Sequence, residues 1–102
     1  MTQMNRQRLR ITFAKGETLK YISHLDLARA WERALRRAGV PLAYSQGFNP
    51  RPKMAFAAAL PVGYTATAEM VDILLEKPLV PLELAHRLAV ALPPGLQVVS
   101  IK

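Results

Sequence analysis

Arg8-Leu9-Arg10-Ile11-Thr12-Phe13-Ala14-Lys15 decides the fold. Leu9, Ile11 and Phe13 alternate with Arg8, Arg10 and Thr12, and side chains on a strand point to opposite faces in turn. The stretch therefore predicts a strand with one face buried and one face polar. Lys15-Gly16-Glu17 reads as the turn that ends it. Met1–Gln7 is polar and basic, has no apolar core of a secretory signal, and reads as a disordered lead-in to a single domain over residues 8–102.

Outward from that strand, Ser23 to Gly39 predicts a helix. Ser23 suits the N-cap, and Asp26 three residues on gives a weaker form of the capping box while complementing the helix dipole. Leu27, Trp31, Leu35 and Ala38 form one apolar stripe. Arg29, Arg33, Arg36 and Arg37 form a second, basic stripe. Gly39 stops the helix and Pro41 blocks its continuation. Residues 42–53 are a loop rich in turn formers. Met54 to Leu60 reads as a short strand, Pro61-Val62-Gly63-Tyr64 as a turn, and Ala68 to Glu76 as an alternating strand with Val71, Ile73 and Leu75 on one side. Pro81 opens a second helix that carries Leu84, Leu88 and either Ala91 or Leu92 on one face. Pro93-Pro94-Gly95 ends it, and Leu96 to Ile101 is the last strand.

The order β-α-β-β-α-β is that of an α+β, ferredoxin-like sandwich: an antiparallel sheet with two helices on one face. The first and third strands are then central. Leu9, Ile11, Phe13, Val71, Ile73 and Leu75 face the helices. Arg8, Arg10 and Thr12 face the open side, where Asp72 and Glu76 partly neutralise them. RNA-recognition motifs place aromatic residues on that open face, and none is expected there here.

The chain has 102 residues, 51% of them hydrophobic, and no cysteine. This suffices for one modest core and excludes disulfides, thiolate nucleophiles, zinc-thiolate sites and cysteine-held clusters. It fits a cytoplasmic protein. No apolar run approaches the roughly 20 residues of a membrane span. The net charge is +7 and is one-sided: residues 1–53 hold eleven Lys/Arg against three acids, whereas residues 54–102 hold three against four. Such asymmetry favours polyanionic partners, and RNA foremost.

Three segments are candidates for function. Tyr44 to Lys53 gathers aromatics (Tyr44, Phe48), amides (Gln46, Asn49), bases (Arg51, Lys53) and a permissive Gly47. Aromatics stack on bases, amides read base edges and cations neutralise phosphate. The competing reading is a turn whose aromatics anchor it to the core. The arginine stripe of the first helix is either a phosphate-tracking face or a solvated surface in which Glu32 pairs with Arg36. His24, at a helix start, is a candidate ligand contact and a weaker candidate for acid–base catalysis. Ser23-His24-Leu25-Asp26 is no triad, since triad members meet in space rather than at consecutive positions. His86 reads as a surface residue. Neither the histidines nor Glu69, Asp72 and Glu76 have metal-site or paired-carboxylate spacing, so no metal site and no established catalytic set is expected.

Three ordered motifs, Tyr21-Ile22-Ser23-His24-Leu25-Asp26-Leu27, Trp31-Glu32-Arg33-Ala34-Leu35-Arg36-Arg37-Ala38-Gly39 and Tyr44-Ser45-Gln46-Gly47-Phe48-Asn49-Pro50-Arg51-Pro52-Lys53, resemble the radical-SAM-linked protein family. This bacterial domain is encoded beside, or fused to, a radical S-adenosylmethionine protein that often has a cobalamin-binding-type domain. Its genes often lie near a ribonuclease of the E/G type and ribosomal protein genes. Family members continue past residue 102, so the resemblance implies the N-terminal half of a longer unit or a short form. The usual family form has Glu at the Gln46 position and often His at the Arg51 position. The resemblance implies a non-catalytic accessory domain without its own cofactor, partnered by a radical SAM protein and presenting RNA for modification. Two alternatives stand beside it. One is a protein-docking module for the same partner that binds no nucleic acid. The other is a metal-independent ribonuclease using His24, by analogy of fold with CRISPR repeat-processing endonucleases, whose glycine-rich loop is missing here.

Overall fold

A computed structural model of the chain describes residues 6–57 and 69–102. The elements run β1 (Gln7–Lys15), a 3-10 turn (Glu17–Leu19), α1 (His24–Arg37), β2 (Met54–Phe56), β3 (Glu69–Leu75), α2 (Pro81–Ala91) and β4 (Leu96–Ile101). The expected strand end at 58–60, the turn at Pro61–Tyr64 and the expected strand start at Ala68 lie outside the described residues, as do residues 1–5 of the lead-in. Gln7, expected in the lead-in, opens β1 instead, and its side-chain oxygen accepts a hydrogen bond from Leu79 N at 2.9 Å.

The sheet order is β2-β3-β1-β4, and each neighbouring pair is antiparallel. This is the α+β sandwich expected from the element order. The register places Leu9 opposite Ile73 and Ile11 opposite Val71, so both apolar rows fall on one face. There they meet Leu27, Trp31, Ala34 and Leu35 of α1 and Leu84, Leu88 and Ala91 of α2 in a single cluster. Each fully buried aliphatic or aromatic side chain contributes roughly 1.5–3 kcal/mol. Trp31 is the centrepiece: its ring packs edge-on against Phe13 at 4.9 Å, and Phe13 meets Phe56 at 6.4 Å. The β1–β4 register shifts between Thr12 and Phe13, a bulge that re-aims β4.

The α1 termini follow from local chemistry. Ser23 Oγ accepts from Asp26 N at 3.1 Å, and Gly39, just past the C-cap Ala38, adopts φ 71°. A left-handed residue after a helix suits glycine, which has no Cβ to clash.

On the open face Asp72 takes both Arg10 Nε at 2.7 Å and a second Arg10 nitrogen at 3.0 Å, and Glu76 pairs with Arg6 at 3.3 Å. On the helix-facing side, at the end of the Phe13 and Val71 rows, Lys15 and Glu69 form a further pair at 3.1 Å with both side chains largely buried. Burying either charge alone would be strongly unfavourable.

Two outcomes test this packing. The Trp31 indole N–H is buried with no hydrogen-bond partner among the described residues. Trp31→Ala should lower urea-unfolding stability by about 3–5 kcal/mol through cavity formation. Trp31→Phe should cost less than half of that, since it keeps much of the ring and removes the orphaned donor. The second concerns pH. The Arg10 guanidinium, chiefly by its hydrogen bond, holds the Asp72 carboxyl below its ordinary value of 3.8. A lowered folded-state value stabilises the fold above the ordinary carboxylate range, and the effect is lost as pH falls through the folded value. The stability gap between wild type and Asp72→Asn should therefore narrow in urea titrations taken from pH 7 down to pH 3.

Candidate nucleic-acid interface

The loop between α1 and β2 is a folded hairpin. Its legs join at Ser45 N to Arg51 O (2.8 Å) and Lys53 N to Ala43 O (2.9 Å), and Arg51 N donates to Ser45 Oγ at 3.1 Å. The root is fastened to the sheet: Ala43 N donates to Leu74 O, Leu74 N to Lys53 O, and Glu76 N to Pro41 O. Val40, Leu42 and Ala43 are buried there. These apolar residues anchor the loop. Phe48, near the tip, is fully exposed and anchors nothing, while Tyr44 is 38% exposed and lies beside Arg36. Gly47 at the tip has φ 130°, a conformation open to glycine and strained for other residues.

The hairpin lies along the basic side of α1. Arg29, Glu32, Arg33 and Arg36 from the helix and Asn49 and Arg51 from the hairpin line one open cleft of about 640 Å³. Two segments that are separate in sequence thus share one surface. Glu32 is its seam. One carboxylate oxygen accepts from Arg36 at 2.9 Å and the other from Arg51 at 3.3 Å, with the Glu32 side chain only 18% exposed. The Tyr44 hydroxyl and then Glu32 hold the Arg36 guanidinium above its ordinary value. Among the described residues, Arg29 and Arg33 have no carboxylate partner. The cleft therefore carries four guanidinium groups against one carboxylate.

The remaining predicted residues are distributed around this cleft. Arg37 is exposed in the last turn of α1 but does not line it. Gln46 and Phe48 project from the hairpin tip. Lys53 lines a shallow depression with Arg8 near Asp72. His24 lies in an adjoining hollow, its ring edge-on to Phe56 at 5.2 Å. Sequence reasoning assigned Glu32 only a helix-surface pairing with Arg36. Its second role, holding the hairpin through Arg51, depends on a contact across 19 positions that no local pattern announces. Among the described residues no group of three His, Asp or Glu side chains converges as a metal site, and no helix is long and apolar enough to cross a membrane. A groove of about 590 Å³ between α2 and edge strand β4 contains none of the predicted binding residues.

With this fold and surface in view, the sequence comparison supplies the class. Residues 8–102 match the model of a bacterial family described as "uncharacterized protein conserved in bacteria" (DUF2344), and the chain belongs to that family. No curated protein and no solved structure matches the chain.

Because Glu32 is the only acid lining the cleft among the described residues, Glu32→Ala should loosen the outer part of the hairpin from α1 while its root stays fastened to the sheet. Amide hydrogen exchange at Ser45 and Arg51 should accelerate, with little change in the global unfolding midpoint, since exposed ion pairs contribute little to overall stability.

Proposed function

We propose that this domain is a non-catalytic RNA-binding module. The observation that carries the reading is the convergence of Arg29, Arg33, Arg36 and Arg51 with Asn49 in one cleft, beside the fully exposed Phe48. Guanidinium groups neutralise phosphates, an amide reads base edges, and a projecting aromatic ring supplies a stacking platform for an unpaired base. The positive half of the sequence, rather than the weakly acidic half, contributes this surface, so the long-range field points the same way. The finer assignment within the family, as a radical-SAM-linked domain, rests on the three motifs of residues 21–27, 31–39 and 44–53. In that assignment the RNA, tRNA or rRNA, is held here for modification by a cytoplasmic radical SAM partner. A chain without cysteine suits such an accessory, because iron–sulfur chemistry relies on cysteine thiolates.

The test is fluorescence-anisotropy binding to single-stranded RNA, tRNA and duplex DNA over a range of salt. RNA is expected to bind more tightly than duplex DNA, with part of the affinity surviving at physiological salt. The double variant Arg29→Ala/Arg33→Ala should weaken every RNA and reduce the slope of log K against log salt by roughly 1–2. Weak binding to every polyanion that vanishes near physiological salt would overturn the proposal and leave the cleft as a protein-docking surface.

A further inference from the structure

Beside the arginine cleft lies a second hollow of about 230 Å³, lined by His24, Pro52, Met54 and Phe56 together with Glu32 and Arg51. Glu32 and Arg51 line both spaces, so a chain whose phosphates lie in the first has the second within reach of an adjacent base. Drug-sized ligands occupy roughly 300–1,000 Å³, and this hollow is smaller. Its walls are a proline ring, a thioether, a phenyl ring and an imidazole, which suit a flat aromatic guest. Its polar end is the Glu32–Arg51 pair.

From this juxtaposition we infer that the hollow is a nucleobase pocket and that it selects guanine. The inference rests on the RNA-binding reading and deepens it. An ionised carboxylate only accepts hydrogen bonds, and each oxygen has more than one lone pair, so Glu32 retains acceptor capacity while bonded to Arg36 and Arg51. A guanidinium only donates. The pair thus presents acceptors beside a donor. The Watson–Crick edge of guanine presents the complement: two adjacent donors, N1–H and the 2-amino group, next to the O6 acceptor. Adenine and cytosine offer one amino donor beside acceptors, and uracil offers one imide N–H flanked by two carbonyls. None of these places two neighbouring donors against a carboxylate. Single-stranded RNA is the substrate class that supplies such a base, because its unstacked bases expose that edge.

The experiment compares labelled short oligouridine with the same strand carrying one central guanosine, inosine, adenosine or cytidine, by anisotropy with wild type, Glu32→Gln and Ala28→Phe. Ala28 also lines the hollow, and a phenyl ring there would fill it without altering charge. In wild type the guanosine strand should bind about three- to tenfold more tightly than the inosine strand, which lacks only the 2-amino group. Glu32→Gln replaces one acceptor oxygen by a donor. It should bring the guanosine-to-inosine ratio to one while strengthening oligouridine binding, because a negative charge leaves the cleft. Ala28→Phe should also bring the ratio to one, with circular dichroism confirming the fold. Equal wild-type binding of all five strands would overturn guanine selection and leave the arginine cleft standing as a general RNA surface. Failure of every strand to bind would remove both readings together.

Discussion

The antiparallel register of β1 on β3 governs the rest of the molecule. With Leu9 opposite Ile73 and Ile11 opposite Val71, the apolar rows of two central strands face α1 and α2 while Arg10 and Asp72 meet on the other side. Side chains alternate with a period of two, so a slip by one residue would turn the arginines into the core and expose the aliphatic row. The packed helices make that exchange prohibitive. Trp31 makes the register still more specific, since it is wholly buried against Phe13 and fits only when Phe13 faces inward.

The same register sets the position of the candidate interface. Leu74 in β3 and Glu76 just after it hydrogen-bond the root of the hairpin, Leu74 on both legs. α1 is held over the sheet by its apolar stripe, and its opposite side must face outward. Hairpin and helix are therefore each fixed to the sheet independently, and Glu32 joins them at their exposed margin through Arg36 and Arg51. The cost of crowding four guanidinium groups is offset by that one carboxylate and by solvent, which screens exposed charges. A surface so arranged keeps an excess of positive charge on elements that are each fastened to the sheet.

Local pattern made several elements legible. The β4 bounds, Leu96–Ile101, coincide with those read from composition, because Pro93-Pro94-Gly95 leaves no ambiguity at the start. α1 was readable from its Ser23 cap, its 3.6-residue stripe and Gly39. Lys15-Gly16-Glu17 was readable as a turn, but the 3-10 turn that follows at Glu17–Leu19 was not, since a single turn leaves no periodicity. The β1–β4 bulge was invisible because it depends on how two strands meet. In the loop, composition left two readings of the aromatics open, as projecting rings or as core anchors; Phe48 is fully exposed, and Val40, Leu42 and Ala43 are the buried residues at the root.

The sequence by itself determined the element order, which side of each central strand is apolar, the ends of α1 and the one-sided distribution of charge. Those properties depend on neighbours within a few positions along the chain. Only the tertiary structure decided that the arginine stripe and the 44–53 segment share a cleft, that Glu32 bridges them, and that His24 meets Phe56 beside it. Those contacts join residues about 13 to 32 positions apart whose proximity follows from how α1 and the hairpin each pack on the sheet, a geometry that no short-range periodicity encodes.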